Sequence, residues 1–412
     1  MRGSSKRSFL FLQGPASPFF ARLADRLGAD GHRIVKLNFH AGDWAYWAPR
    51  RALAFRGRLE VLPGFLDEVY RRFDISDQVL YGDRRPVHKA AVERAAACGV
   101  RTHVFEEGYF RPHWVTLERE GVNARSLLPR DPHWYRQTAA RLGTPPETVT
   151  FHSPFFIMAT HDVLYHTAGL VNPLFFPHYV GHGLLPVVVE YAGYCLRLPR
   201  VRLWDKRRDA QRIARLIDSG RPYFVLPLQL NSDAQIREHS SFRDMAEVLT
   251  HVVESFAAHA PKDALLVIKN HPLDPGLNRY GAQVKRLARR YGCAGRLLYL
   301  ESGFLEPLLK YARGCVTVNS TSGIQALGLG CPVKTLSRPI YDLPGLTFQG
   351  TLADFWTAGE RPDAELFTCF RRVVTYATQI NGGFYCEKGI ALAVPNSARV
   401  LTAERSPLEA LQ

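Results

Sequence analysis

The sequence predicts an α/β protein: two doubly wound parallel-sheet domains facing a cleft, with a helical insert between them. Three observations carry that expectation. Short apolar runs of strand length alternate with amphipathic helical patterns through the first third of the 412 residues. The rhythm stops over 146–218, where prolines, histidines and aromatics crowd together. It resumes at Tyr223-Phe-Val-Leu-Pro and continues through a helical pattern at 323–329.

Element by element, Ser8-Phe-Leu-Phe-Leu-Gln13 reads as a strand and Gly14-Pro-Ala-Ser-Pro18 as a turn. An amphipathic helix follows over 19–27, ending at Gly28, then a strand over 33–38. Strand 78–81, helix 86–97 and strand 102–105 continue the alternation. In the second half, strand 223–228 precedes helix 242–257, strand 264–269, helix 279–291 and strands 296–300 and 315–318. The expected division is 1–145, an insert at 146–218, 219–350, and C-terminal helices at 351–412 packing back across the domains. In such folds ligands gather at the carboxyl ends of the strands.

Composition narrows the function. At 46% hydrophobic and 22% charged the chain is globular. Its seven cysteines form no Cys-x-x-Cys pair, so free thiols in a reducing compartment are expected rather than zinc or disulfides. Phe9-Leu-Phe-Leu12 is too short for a signal peptide, and no clean run of about 20 apolar residues occurs, so a cytoplasmic chain without a spanning helix is expected. A net charge of +15 calls for an anionic partner: nucleic acid, anionic lipid or a phosphorylated substrate. Its densest part holds Arg197, Arg200, Arg202, Lys206, Arg207 and Arg208, directly after the stretch 163–189, which has no Lys, Arg, Asp or Glu. Apolar-aromatic followed by polybasic is the pattern of attachment to an anionic leaflet, and these six residues are the expected lipid contacts. No zinc-finger, RNP-type or helix-turn-helix signature is present, so nucleic acid is not expected.

The chemistry-bearing residues sit where predicted strands end. Glu106-Glu107-Gly108 offers a nucleophile or base, with Arg111 or Arg84 as partner for the second carboxylate. Lys269-Asn270-His271-Pro272 places an imidazole at a sheet edge, able to bind or protonate a phosphate. Asn319-Ser320-Thr321-Ser322-Gly323 starts a helix, where hydroxyls and backbone N–H groups favour an anion. Further cleft candidates are Gln13, Asp43, Asp83, Arg84, His88, Gln229, Asn231, Asp233, Gln235 and His239. There is no Asp-x-Asp, metal-ligand cluster, phosphate-binding lysine loop or G-x-G-x-x-G, so neither metal nor bound cofactor is expected.

These motifs, in order, resemble the capsule polysaccharide biosynthesis family, in particular its KpsS/LipB type from Gram-negative bacteria. The resemblance runs through Leu12-Gln-Gly-Pro15, Gly82-Asp-Arg-Arg-Pro-Val-His88, Phe105-Glu-Glu-Gly-Tyr109 and Leu128-Pro-Arg-Asp131. It continues through Ser232 to Ser240, Ile268-Lys-Asn-His-Pro272, Asn319-Ser-Thr-Ser-Gly323 and Phe384-Tyr-Cys386. It implies a GT-B-like glycosyltransferase with two Rossmann-like domains, the first acceptor-side and the second binding a CMP-sugar. The implied reaction transfers the first β-Kdo from CMP-β-Kdo to lyso-phosphatidylglycerol, initiating the poly-β-Kdo linker of a capsular polysaccharide. The catalytic residues carried over are Glu106, Glu107 and His271. Lys269, His271, Pro272, Asn319, Ser320, Thr321, Ser322 and Gly323 would hold the donor. The implied setting is the cytoplasmic face of the inner membrane, beside other capsule biosynthesis and export proteins. Two alternatives stay open: a non-catalytic export scaffold, and a transferase for another CMP-sugar such as sialic acid.

Overall fold

The computed structural model describes residues 6–143, 147–181, 186–231, 236 and 240–412. The chain forms two compact units. The first gathers Met1–Pro129, Arg141–His182 and Arg372–Gln412, and the second Arg130–Ala140 and Gly183–Arg371. The boundary between units therefore falls inside 146–218, the stretch set apart in the sequence as an insert. The last segment likewise divides, within the helix Ala364–Thr378.

Among the described residues the strands of the first half are β1 (Ser8–Phe11), β2 (Arg33–Asn38), β3 (Leu53–Ala54), β4 (Asp77–Tyr81), β5 (Arg101–Glu107) and β6 (Trp114–Arg119). Those of the second half are β7 (Tyr223–Pro227), β8 (Leu265–Lys269), β9 (Leu297–Leu300), β10 (Gly314–Thr317), β11 (Val333–Thr335) and β12 (Gln379–Asn381).

The first unit holds a sheet ordered β12-β6-β5-β4-β1-β2-β3. The pairings among β1 to β5 are parallel. β1 is covered on both faces, which is why it reads as an unbroken apolar run. Phe9 and Phe11 pack among Phe19, Phe20, Leu23 and Leu27, while Leu10 and Leu12 pack among Leu66, Val69, Val87 and Ala91. The sheet is not parallel throughout, contrary to expectation. β6 and β12 run antiparallel at its edge. Only residues 108–113 separate β5 from β6, too few for the crossover that a parallel neighbour requires.

The second unit has five strands, ordered β11-β10-β7-β8-β9, and all its pairings are parallel. Phe224, Leu226, Leu266, Ile268 and Val316 form a core with Val248, Leu249, Val252 and Phe256 of the helix Met245–His259. In each sheet the strand order reverses beside the first strand. The switch points lie between β1 and β4 and between β7 and β10, where side chains leaving adjacent strand ends diverge and leave room for a ligand.

Candidate functional site

In the first unit, the carboxyl ends of β1, β4 and β5 bring together Gln13, Asp83, Glu106 and Glu107 as strand-end neighbours. Glu107 Oε1 accepts hydrogen bonds from two phenols, Tyr81 and Tyr385, each at 3.3 Å. Its Oε2 lies 4.0 Å from Arg111 Nε. Burial first, and the Glu107 charge second, push both tyrosines well above the usual phenol range, so they stay protonated and can only donate. Glu106 turns the other way, as alternate strand residues must, and its Oε1 accepts the Glu107 backbone N–H at 3.0 Å. Gly108 is required by close approach: a Cβ there would overlap the Trp114 carbonyl. Arg84 lies near Asp83, where its charge offsets part of the rise that burial imposes on that acid.

Asp83 is buried, and desolvation raises it to about 6. His88 Nδ1 donates to the Gly82 carbonyl at 2.7 Å and so holds the turn after β4. Arg85, between two of the expected candidates, stacks 4.9 Å over the Tyr81 ring and donates to the Gly14 carbonyl at 3.2 Å. Gln13 and Asp43 meet in a buried network. Gln13 Nε2 donates to the Tyr165 hydroxyl at 2.8 Å, and that hydroxyl donates to Asp43 Oδ1 at 2.9 Å. The His40 ring stacks on Tyr165 at 4.6 Å, and burial pulls its pKa down to about 4. A small pocket opens here, lined by Lys36, Asp43, Tyr46 and Tyr165 among others. Burial lowers Lys36 to about 8.

In the second unit, β8 runs into Asn270-His271-Pro272. His271 Nδ1 accepts the Leu273 N–H at 3.1 Å. A neutral ring therefore carries its proton on Nε2, the nitrogen a phosphate oxygen needs. Asn270 shapes the turn by accepting the His271 N–H at 2.8 Å and donating to Glu301 Oε2 at 3.1 Å. Lys269 is buried, its pKa lowered by desolvation and then by Arg197, and its Nζ donates to the Asn270 carbonyl at 3.3 Å.

At the β7/β10 switch point Gln229 Nε2 donates to Asn319 Oδ1 at 3.1 Å. Ser320 caps the helix Thr321–Gly328, its Oγ accepting the Ser322 N–H at 3.1 Å, and the Gly323 N–H goes to the Ser320 carbonyl at 2.9 Å. Two first-turn amides are thus already hydrogen-bonded, and the Ser320 hydroxyl donates to Ser322 Oγ at 3.1 Å, so the hydroxyls of Thr321 and Ser322 are the donors this turn offers an anion. Gly323 must lack a side chain, since a Cβ would strike the Tyr341 hydroxyl that donates to Ser320 O. Asn231 serves structure: its Oδ1 accepts the Met245 N–H at 2.8 Å at the start of the next helix. Asp233, Gln235 and His239 lie outside the described residues.

The expected lipid contacts divide. Arg197 does not face lipid; it is 4% exposed. Its guanidinium donates to the carbonyls of Asp274 at 2.7 Å, Pro272 at 3.0 Å, Glu301 at 3.2 Å and His271 at 3.3 Å. The loop carbonyls left without strand partners after β8 and β9 supply the reason: only a buried multi-donor cation answers several at once. Arg200 and Arg208 are half tied down, pairing with Asp205 at 3.0 and 2.8 Å. Arg202, Lys206 and Arg207 are exposed.

Tyr81, Arg85, Lys36, Tyr165 and Tyr385 were missed in the sequence. Arg85 and Tyr81 lie beside chosen residues and Tyr385 lies within Phe384-Tyr-Cys386, which are usable signals; the pairing of Tyr385 with Glu107, 278 positions away, has none.

Two α/β units, one sheet largely and the other wholly parallel, each with polar groups at a topological switch point, define a Rossmann-like class of protein. Residues 76–385 match the family described as "Capsule polysaccharide biosynthesis protein", and the chain belongs to it. It is 37% identical over 388 residues to "Capsule polysaccharide export protein KpsS" of Escherichia coli, covering 92% of this chain and 97% of that one. It is also 37% identical over 396 residues to "Capsule polysaccharide modification protein LipB" of Neisseria meningitidis serogroup B, covering 93% of each. Among solved structures it is similar to "Thermosulfurimonas dismutans KpsC, beta Kdo 2,7 transferase", with 14% identity, a TM-score of 0.41, and 88% and 89% of the two chains covered.

Proposed function

We propose that this capsule protein is a glycosyltransferase that moves the first β-Kdo from CMP-β-Kdo to lyso-phosphatidylglycerol, starting the poly-β-Kdo linker. The observation that carries the reading is the Glu107 carboxylate, held by Tyr81 and Tyr385 through one oxygen at the carboxyl end of β5, the end of a sheet at which ligands gather in such folds. Membership in the capsule family supplies the context.

In the proposed retaining transfer, Glu107 attacks the anomeric carbon of Kdo. The carbon–oxygen bond to phosphate breaks, and its electron pair leaves with CMP. His271 through Nε2–H, with the Thr321 and Ser322 hydroxyls, stabilises that departing phosphate. The lipid hydroxyl then attacks the same carbon, the Glu107 carboxylate departs, and the hydroxyl proton passes to a base, for which Glu106 stands nearest in the chain. Phosphate is neutralised by protein donors, without a metal ion. The same reading puts the protein at the cytoplasmic face of the inner membrane; among the described residues no helix is long and apolar enough to cross one.

Purified protein incubated with CMP-Kdo and a lyso-phosphatidylglycerol analogue should give a product heavier by one Kdo. Glu107→Gln should abolish that product while still binding the donor. Ordinary turnover by Glu107→Gln would refute the role. The name of the Escherichia coli relative suggests an export role instead, and a scaffold would give no turnover with any donor. Better turnover with CMP-sialic acid would mark a different transferase.

A further inference from the structure

The helical run 187–218 of the second unit has its polarity inverted over 196–209, while Ile213 and Leu216 further on turn inward. It comprises Val187–Arg200, a wider π turn at Val201–Asp205, and Lys206–Asp218. A helix on a protein in water turns apolar residues inward. Here Arg197, Asp205 and Asp209 are 4%, 3% and 0% exposed, while Leu196, Leu203 and Trp204 are 80%, 59% and 64% exposed. The inward charges are occupied. Arg197 holds the His271–Asp274 carbonyls, and Asp209 Oδ2 accepts the N–H groups of Glu301 at 2.8 Å and Ser302 at 3.2 Å. The outward apolar residues alternate with Arg202, Lys206 and Arg207, which are exposed and form no ion pair with a described residue.

We propose that this outer face docks on an anionic phospholipid surface, with Leu196, Leu203 and Trp204 entering the interface and Arg202, Lys206 and Arg207 meeting lipid phosphates. The proposal rests on the membrane location given above and names the residues that achieve it. Charge decides the occupant. The first unit also exposes apolar residues on the helix Phe155–Ala168, among them Phe155, Phe156 and Leu164, yet 142–196 contains no Lys or Arg to attract an anionic leaflet. On 187–218 apolar anchors and cations share one face, the composition of an interfacial helix. Its inner face carries the His271 loop through Arg197, so docking would hold the donor loop close to the lipid.

The test is co-sedimentation of the full-length protein with phosphatidylcholine vesicles, with and without phosphatidylserine. That lipid supplies charge without the glycerol headgroup of the proposed acceptor. Wild type should sediment only with the charged vesicles, and less as salt is raised. Arg202→Gln/Lys206→Gln/Arg207→Gln should weaken partitioning roughly 100-fold, from the typical contribution of each cation at such a surface. Leu196→Ser/Leu203→Ser/Trp204→Ser should weaken it at least about tenfold. Both variants should melt like wild type and keep turnover with a soluble short-chain acceptor. Unchanged sedimentation of either variant would overturn the proposal. So would loss on Phe155→Ser/Phe156→Ser/Leu164→Ser alone, or a wild-type dimer that the Ser variant dissociates without losing vesicle binding. A protein that docks as described but transfers no Kdo would refute the proposed function and leave this face intact.

Discussion

Replacing Arg197 by lysine tests whether a buried cation holds the His271 loop, the proposed donor site. The guanidinium reaches four carbonyls, at 2.7 to 3.3 Å, and Glu301 Oε2 at 3.3 Å. Lysine keeps the charge but gathers its donors at one point, so it can satisfy two or three of these partners and cannot span both loops. Hydrogen bonds to a charged group contribute about 1.5–3 kcal/mol each, and neighbouring ones do not add. Arg197→Lys should therefore cost about 2–3 kcal/mol in urea unfolding. Arg197→Met, which leaves Glu301 without this partner as well, should cost about 3–5 kcal/mol. Since the loop carries His271, the Lys variant should also raise KM for CMP-Kdo, by about tenfold, with a smaller change in kcat. Stability and KM both within twofold of wild type would refute the clamp. Loss of vesicle affinity at unchanged stability would restore the lipid-facing role expected from the charge run.

Tyr385→Phe and Tyr81→Phe each remove one donor to Glu107 Oε1; kcat should fall about five- to tenfold per substitution with KM nearly constant, and neither should matter further in a Glu107→Gln background. Equal loss in that background, read as residual donor hydrolysis, would mean the phenols act elsewhere. Gly108→Ala should lower the melting temperature sharply, because its methyl would overlap the Trp114 carbonyl; an unchanged melt would show that the strand end can shift. Burial raises Glu118 to about 7, against hydrogen bonds from Ser126 and Tyr109 that lower it, and Asp83 to about 6. Raised carboxyls favour the folded state while protonated, so their contribution is complete below the unfolded values near 4 and is lost as pH rises through 6 and 7. Glu118→Gln should thus gain stability relative to wild type between pH 5 and pH 8, and parallel urea curves at the two pH values would contradict this. Transfer should persist in EDTA; its abolition, with rescue by a divalent ion, would place a metal in the reaction.

The strand ends were legible because the information is local. An apolar run, then Glu-Glu-Gly or His-Pro or Ser-Thr-Ser, marks where a strand stops and a helix or turn begins, whatever lies around it. The partners of those residues were not. Tyr385 reaches Glu107 from the last segment of the chain, and the antiparallel β6 and β12 depend on a short loop and a distant strand finding the same edge. Among the expected cleft residues, Asn231 and His88 proved to hold turns or caps, roles that the same polar residue types fill everywhere.

By itself the sequence determined two α/β halves, their strand-end motifs, the family they belong to and the place of the densest positive charge. Tertiary structure decided which of those charges face water. Arg197 and Arg202 stand five positions apart in one basic run, yet the first is buried and the second exposed. The difference lies in carbonyls from residues 271–274 and 301, brought to the helix by the fold. A side chain's local pattern states what it can bind; only packing states what is left for it to bind.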